Sequence, residues 1–304
     1  MLFGCGRIGF DATRTAPGDG NGSGDGTQVD APSACAQFGS FNPPVKLPAV
    51  LQSGGDDWDA TPSDDGRLLY FYTCGPVMPC ALYFATRASV ASAYGPPIAD
   101  TGLAASAFNQ VSPTLSRNGL AIIYASDSSG QYHLMRSERA STQAAFGPGS
   151  PVLNVNSAAQ ERDSFMTANG LRLVFLSTRG GGGLGAIYEA SRDIQSASFG
   201  TPRELVPLNT AGTQISPTLS ADGLEIFFSS NRGGGLGGFD IYRSHRTALS
   251  QPFDPPTLVP ELSSAGDDLG VRLTDDGATM YLNWMTSAAG GTNTDLYVTT
   301  RGCI

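Results

Sequence analysis

Apolar residues cluster along the chain in short runs, each placed directly after an Asp/Asn-Gly dipeptide. RLLYFY, LAIIYA, LRLVFL, LEIFFS and ATMYLN follow Asp65-Gly66, Asn118-Gly119, Asn169-Gly170, Asp222-Gly223 and Asp276-Gly277. Aromatic and branched side chains at this density suit a pleated, buried strand. The dipeptides supply the positive backbone angles that a tight hairpin turn needs. A shorter segment precedes each turn, SPTLS twice in identical form. After the apolar run a third strand ends in an apolar-Tyr pair at Leu82-Tyr83, Ile187-Tyr188, Ile241-Tyr242 and Leu296-Tyr297, whereas the second unit carries His133-Leu134.

The turn glycines are spaced by 53, 51, 53 and 54 residues. An aromatic opener runs in step with them: FNPP at Phe41, YGPP at Tyr94, FGPG at Phe146, FGTP at Phe199 and FDPP at Phe253 stand 24 or 25 residues before each turn glycine. A fourth strand follows each opener, as in RELVPL and PTLVPEL, where proline is tolerated because an outer edge can spare a ladder donor. Four antiparallel strands recurring about every 50 residues predict propeller blades. The expected fold is therefore all-β, a five-bladed β-propeller of four-stranded antiparallel blades over residues 37–304, its repeats tiling 41–304. The competing architecture is a propeller of more blades completed by a second chain. FNPPVKLPAVL lacks three preceding strands and DLYVTTRGCI lacks a fourth, so the N-terminal strand is expected to join the C-terminal blade and close the ring.

Cysteine placement tests that closure. Tyr242 precedes Phe253 by 11 residues, while Cys303 lies 6 after Tyr297 and Cys35 lies 6 before Phe41. Laid on the fourth unit, Cys35 and Cys303 fall on adjacent positions, close enough for a disulfide. Cys74 and Cys80 flank a hairpin loop and are expected to pair, the competing reading being two free buried thiols. Zinc is disfavoured because the two histidines, His133 and His245, sit in other units. Two disulfides imply an oxidising compartment.

The fourth unit carries Ser216, Pro217, Ser220, Asp222, Gly223, Ser230, Arg232, Gly233, Asp240, Ile241 and Tyr242. This pattern resembles the WD-like propeller repeat of TolB-type periplasmic proteins. The third unit keeps Ser177 and Arg179 but has Ala186 for the aspartate, and the fifth keeps Asp295, Leu296 and Tyr297 without the Ser-x-Arg. The resemblance covers residues 41–304 and speaks for fold more than for function. Leu2-Phe3-Gly4-Cys5 in turn resembles the lipobox of bacterial lipoproteins, which implies lipidation at Cys5. Phe3 departs from the usual small residue, and no charged and apolar region precedes the box, so the true start is expected upstream and residues 1–10 are a lipobox remnant. Residues 11–36, rich in Gly, Asp, Ser and Pro, are expected to be a disordered tether. Asp19, Asn21, Ser23, Asp25, Thr27 and Asp30 follow calcium-loop spacing, but Pro17 and Pro32 stand where its helices should be, and no metal or cofactor is expected.

The formal net charge of −9 argues against nucleic-acid or anionic-lipid partners. No apolar run is long enough to span a bilayer. The membrane is thus met only through the lipid, in the periplasm or on the outer membrane of the cell envelope, and a monomer is expected. Asp57, Gln110, Glu161, Gln214 and Asp268 stand nine residues before the turn glycines, and Asp59, Ser112, Asp163, Ser216 and Gly270 two further on. In a propeller these positions line one mouth of the channel, either capping strand ends or forming a cation, amine or sugar site. Five-bladed glycosidases of the arabinanase type use carboxylates from different blades, which makes Asp57, Glu161 and Asp268 candidates under that alternative. Other catalytic signatures are missing from the sequence, and the glycine-rich stretches read as surface loops lacking the helix a phosphate cradle needs. Arg179 and Arg232 read as structural; Trp58 and Trp284 could stack on sugars or pack between blades. The expected function is a non-enzymatic module binding an envelope protein or polymer at a channel mouth; the alternative is a glycan-binding or glycoside-hydrolysing propeller.

Overall fold

In the computed structural model, which describes residues 35, 37–51, 55–75, 79–103, 107–180, 185–210, 212–284 and 294–304, each of the five repeated Asp/Asn-Gly dipeptides closes a hairpin. The lipobox, and the tether apart from Cys35, lie outside the described residues. The hydroxyl two residues before each Asp/Asn (Ser63, Ser116, Thr167, Ser220, Thr274) donates to its side-chain oxygen at 2.6–2.8 Å. That hydroxyl also accepts the amide of the residue opening the second strand. The following glycine takes φ of +63° to +69°, the left-handed region where a Cβ is costly.

Blade 1 comprises Asp56–Pro62, Leu68–Cys74, Ala81–Thr86 and Ile98–Ala99; blade 2, Gln110–Leu115, Ala121–Ser126, His133–Glu138 and Ser150–Pro151. Blade 3 comprises Glu161–Met166, Arg172–Ser177, Ala186–Ser191 and Arg203–Glu204; blade 4, Gln214–Leu219, Glu225–Ser230, Asp240–His245 and Thr257–Leu258. Blade 5 takes Asp268–Leu273, Thr279–Trp284 and Leu296–Cys303 from the C-terminal end, and Phe38–Phe41 and Val45–Lys46 from the N-terminal end pair with its third strand. The fold is a five-bladed β-propeller closed by its two chain ends. Fourth strands are only two residues long, shorter than RELVPL and PTLVPEL suggest, because Pro207 and Pro260 open 3-10 turns there.

The innermost strands bulge at one shared position. Their registers shift there, and Asp59, Ser112, Asp163 and Ser216 take φ of 50–53°, with Gly270 at 64°. The SPT motif follows: serine occupies the bulge, proline stands where the ladder is already interrupted, and threonine stitches blades together. Thr61 Oγ1 donates to the Pro113 carbonyl at 2.7 Å, and Thr114 and Thr218 Oγ1 accept from the Met166 and Leu273 amides at 3.1 and 3.0 Å. Apolar residues fill the spaces between blades, as where Ile123 and Leu134 meet Leu173, Phe175 and Phe199.

One arginine per blade holds turn and opener together. Nε of Arg87, Arg139, Arg192, Arg246 and Arg301 donates to the carbonyl of the blade's turn glycine at 2.6–2.8 Å. The same guanidinium lies 4.4 Å over the openers Tyr94, Phe146, Phe199 and Phe253 respectively, and Arg301 lies 4.7 Å over the opener Phe41 and 4.4 Å over Phe38, a geometry favoured by the ring quadrupole. In blades 4 and 5 it also reaches the preceding blade. Arg246 binds both oxygens of Glu189 at 3.0 and 2.8 Å, and Arg301 meets Glu225 at 2.7 Å. Burial alone would raise the Glu189 carboxyl, but hydrogen bonds and charge from Arg246, then Arg203, outweigh it and hold it at about 2.

Cys35 is bonded to Cys303 with a Cα–Cα distance of 5.5 Å, and Cys74 to Cys80 at 4.2 Å. Both expected pairings are present. The first closes a loop of 268 residues, for which chain entropy gives about 5 kcal/mol. Cys303→Ser is expected to cost 2–5 kcal/mol or about that order in denaturant unfolding, with peptide mapping of the parent showing both bonds. Arg246→Ala strips a buried carboxylate of its main partner and is expected to cost about 3–5 kcal/mol near neutrality. Because the Glu189 carboxyl is depressed, its contribution is full above about 4.5 and disappears as pH falls toward about 2. The parent-minus-variant difference in unfolding free energy should therefore shrink across that acid window.

Candidate functional site

The bulge sets the axial chemistry, because it places side chains of different blades against one another. Arg272 Nη2 lies 3.3 Å from Asp59 Oδ2, joining blades 5 and 1. Ser112 Oγ donates to Asp163 Oδ1 at 3.1 Å, joining blades 2 and 3. The Asp59 amide donates to Asn283 Oδ1 at 3.1 Å. A Cβ on Gly270 would stand 2.1 Å from that same Asn283 oxygen and 3.1 Å from Asp59 Oδ1, so glycine is required at the fifth bulge. Asp59, Ser112 and Arg272 are buried and Asp163 is 8% exposed.

Electrostatics in this cluster are mutual. Burial raises the Asp59 carboxyl, and Arg272 opposes it. Burial, then the charges of Asp59 and Asp163, push the Tyr72 phenol well up. The negative charge of Asp163 raises the Arg162 guanidinium. Trp58 stacks on Tyr72 with ring centroids 6.5 Å apart. Trp58, Arg162, Ile215 and Leu269 stand one residue before the bulge and are half-buried. They stand at the strand-start end of the inner strands, where the Trp58–Tyr72 pair and Arg162 adjoin the Asp59, Asp163 and Arg272 charges.

The outer ring of sequence candidates behaves differently. Asp57 accepts from Thr73 Oγ1 at 2.6 Å. Glu161 accepts from the Ser157 amide and from the hydroxyls of Ser157 and Ser177, and from Arg179 Nη2 at 3.1 Å. Gln214 Nε2 donates to the Gly212 carbonyl at 3.1 Å, and Gln110 Nε2 donates to the Leu103 carbonyl. Asp268 accepts the Ser264 amide at 2.6 Å and the Ser264 hydroxyl at 3.1 Å. These five side chains organise their own entry loops and facing strands. The structure thus brings Asp59 and Asp163 into a shared axial network and leaves Asp57, Glu161 and Asp268 to separate blades. Arg179 and Arg232 are structural, as read from the sequence: each bonds the serine two residues before it and a carbonyl of the preceding connection.

Arg162, Arg272 and Tyr72 were not among the candidates. Arg272 has a visible signal: it stands at the position where three other units carry Thr61, Thr114 and Thr218. Among the described residues no cluster of three or more His, Cys, Asp and Glu is arranged to hold a metal ion. No described helix is long and apolar enough to cross a membrane.

No protein-family model matches the chain. No curated protein matches it either. Among solved structures, the α-L-arabinofuranosidase PaAbf62A from Podospora anserina superposes with a TM-score of 0.58 at 11% identity, over 90% of this chain and 99% of that one. The catalytic domain of a GH62 α-L-arabinofuranosidase from Coprinopsis cinerea gives 0.56 at 12%, over 90% and 100%. TolB from Acinetobacter baumannii gives 0.52 at 16%, over 83% of this chain and 56% of that chain, so this chain spans little more than half of TolB. Identities this low establish the shared propeller fold.

Burial chiefly raises the Asp268 carboxyl, to about 7, against the bonds from Ser264. A raised carboxyl contributes stability that is complete below its usual 3.8 and is lost as pH rises through about 7. Asp268→Asn should flatten that part of the curve of unfolding free energy against pH. An unchanged slope between pH 4 and 7, or about that range, would contradict the assignment.

Proposed function

We propose that this propeller is an extracytoplasmic, lipid-anchored binding module, without catalytic activity, that takes an envelope protein or polymer at the strand-start mouth of its axis. The observation that carries the reading is the state of the carboxylates. Asp59 is ion-paired with Arg272, Asp163 accepts from Ser112 and lies beside Arg162, and Asp57, Glu161 and Asp268 hold loops or facing strands. A glycosidase needs one carboxyl free to give a proton and a second free to attack or to activate water. A binding mouth needs instead an aromatic surface and fixed polar groups, the roles assigned to Trp58, Tyr72 and Arg162. Two disulfides suit an oxidising compartment, and Cys5 is the proposed point of lipid attachment.

The glycan-processing alternative draws on Asp59 and Asp163, which come from different blades beside Trp58. One experiment separates the two readings. Purified protein is incubated with cell-wall polymer and, in parallel, with aryl α-L-arabinofuranosides and arabinan. The binding reading expects polymer retention that drops at least about tenfold in Trp58→Ala and Arg162→Ala, with no sugar or aryl group released. Release that vanishes in Asp163→Asn would overturn it and establish the hydrolase.

A further inference from the structure

The five clamp arginines stand in equivalent places, so the molecule itself reports what each guanidinium meets across its blade junction. At the junction of blades 3 and 4, Arg246 is met by the carboxylate of Glu189, flanked by Arg172 at 2.9 Å and Arg203 at 2.6 Å. Those three residues are neighbours on one face of blade 3, since Glu189 pairs with Val174 and Arg203 and Arg172 opens the second strand. On blade 1 the same sheet positions hold Leu68, Phe84 and Ile98, for Phe84 pairs with Tyr70 and Ile98. An acid flanked by two bases is replaced there by an apolar surface, and Ile98 is 55% exposed.

Arg139 faces that surface from blade 2. Its Nε is fixed on the Gly119 carbonyl at 2.7 Å and its plane on Phe146 at 4.4 Å, as Arg246 is fixed on Gly223 and Phe253. Its Nη2, the nitrogen that in Arg246 takes Glu189 Oε1, is buried and meets no carboxylate among the described residues; the guanidinium's neighbour on blade 1 is the neutral Tyr70 hydroxyl. Asp100, which lines the same cleft, is held by the Tyr70 hydroxyl at 2.8 Å and by the amides of Gly102 and Leu103. A cleft of about 800 Å³ opens between the two blades, with Phe84, Ile98 and Arg139 among its walls. Of the acids at its rim, Asp64 is paired with Arg117 at 3.4 Å and Asp65 holds its own turn, while Arg67 and Arg87 add positive charge.

We propose that the cleft between blades 1 and 2 binds a carboxylate carried on an apolar body, a free aliphatic acid, with its carboxylate on Arg139 where Glu189 sits on Arg246 and its chain along Leu68, Phe84 and Ile98. A charge-assisted pair supplies the anchor and the uncovered apolar face the remaining affinity. The site is set apart from the axial mouth, so its test stands independently of the proposed axial function.

Decanoate and decanol are titrated calorimetrically into the folded protein and into Phe84→Glu, which places an internal carboxylate at the position of Glu189. The expected result is decanoate binding at least about tenfold tighter than decanol. Phe84→Glu should abolish decanoate binding while raising the thermal midpoint, because Arg139 is then capped from within. Equal affinity for acid and alcohol, or undiminished binding in a folded Phe84→Glu, overturns the proposal; if that variant does not fold, the acid-to-alcohol ratio of the parent decides. Acetyl-trileucine as free acid and as amide identifies the source of the carboxylate. A free acid that outcompetes decanoate while the amide fails keeps the site but assigns it to a peptide C-terminus.

Discussion

Everything outside the axis depends on the contact between one guanidinium, one turn carbonyl and one aromatic ring, repeated around the molecule. An Asp/Asn-Gly turn has a satisfied interior but an outward carbonyl at its glycine, and the opener ring lies on a strandless segment with no ladder to hold it. The clamp arginine satisfies the first by hydrogen bond and covers the second by stacking. It thereby fixes the end of one hairpin to the start of the connection leading to the next blade. Without it the apolar surfaces between blades would have no defined approach.

Most of the fold was legible because it is carried by local chemistry. Asp/Asn-Gly turns, apolar runs and aromatic openers each announce themselves within a few residues, and their shared spacing assigned five blades and the closure through Cys35 and Cys303. The clamp was legible too, although only in retrospect: Arg87, Arg139, Arg192 and Arg246 each stand seven residues before an opener aromatic. A single arginine in a loop carries little signal until its spacing is matched with that of the rings.

The axial site was half legible, for a reason rooted in strand geometry. Counting by two along the inner strands selected both Asp57 and Asp59, Glu161 and Asp163. What counting could not show was the bulge between them. A left-handed residue at Asp59 and Asp163 turns the later member of each pair toward the axial network, while Asp57 accepts from Thr73 and Glu161 from Ser157, Ser177 and Arg179. Arg272 could not be paired with Asp59 from spacing, because that contact crosses from blade 5 to blade 1, whereas Arg162 is the chain neighbour of Asp163 on the same strand. The charge inside the axis is balanced between two arginines and two aspartates, and the same economy governs the blade 3 to 4 junction. Blades 1 and 5 depart from it, with Phe84 and Val298 at the sheet position of Glu189.

The bond from Cys35 to Cys303 has a mechanical meaning. A pull transmitted through the residues before Cys35 passes directly into Cys303, at the end of the longest strand of blade 5. Phe38–Phe41 and Val45–Lys46, held to that strand by non-covalent contacts, are bypassed. In an oxidising medium a load on the amino-terminal segment therefore cannot peel them away one bond at a time. After reduction the same load would unzip the ring from the seam between these N-terminal strands and Leu296–Cys303.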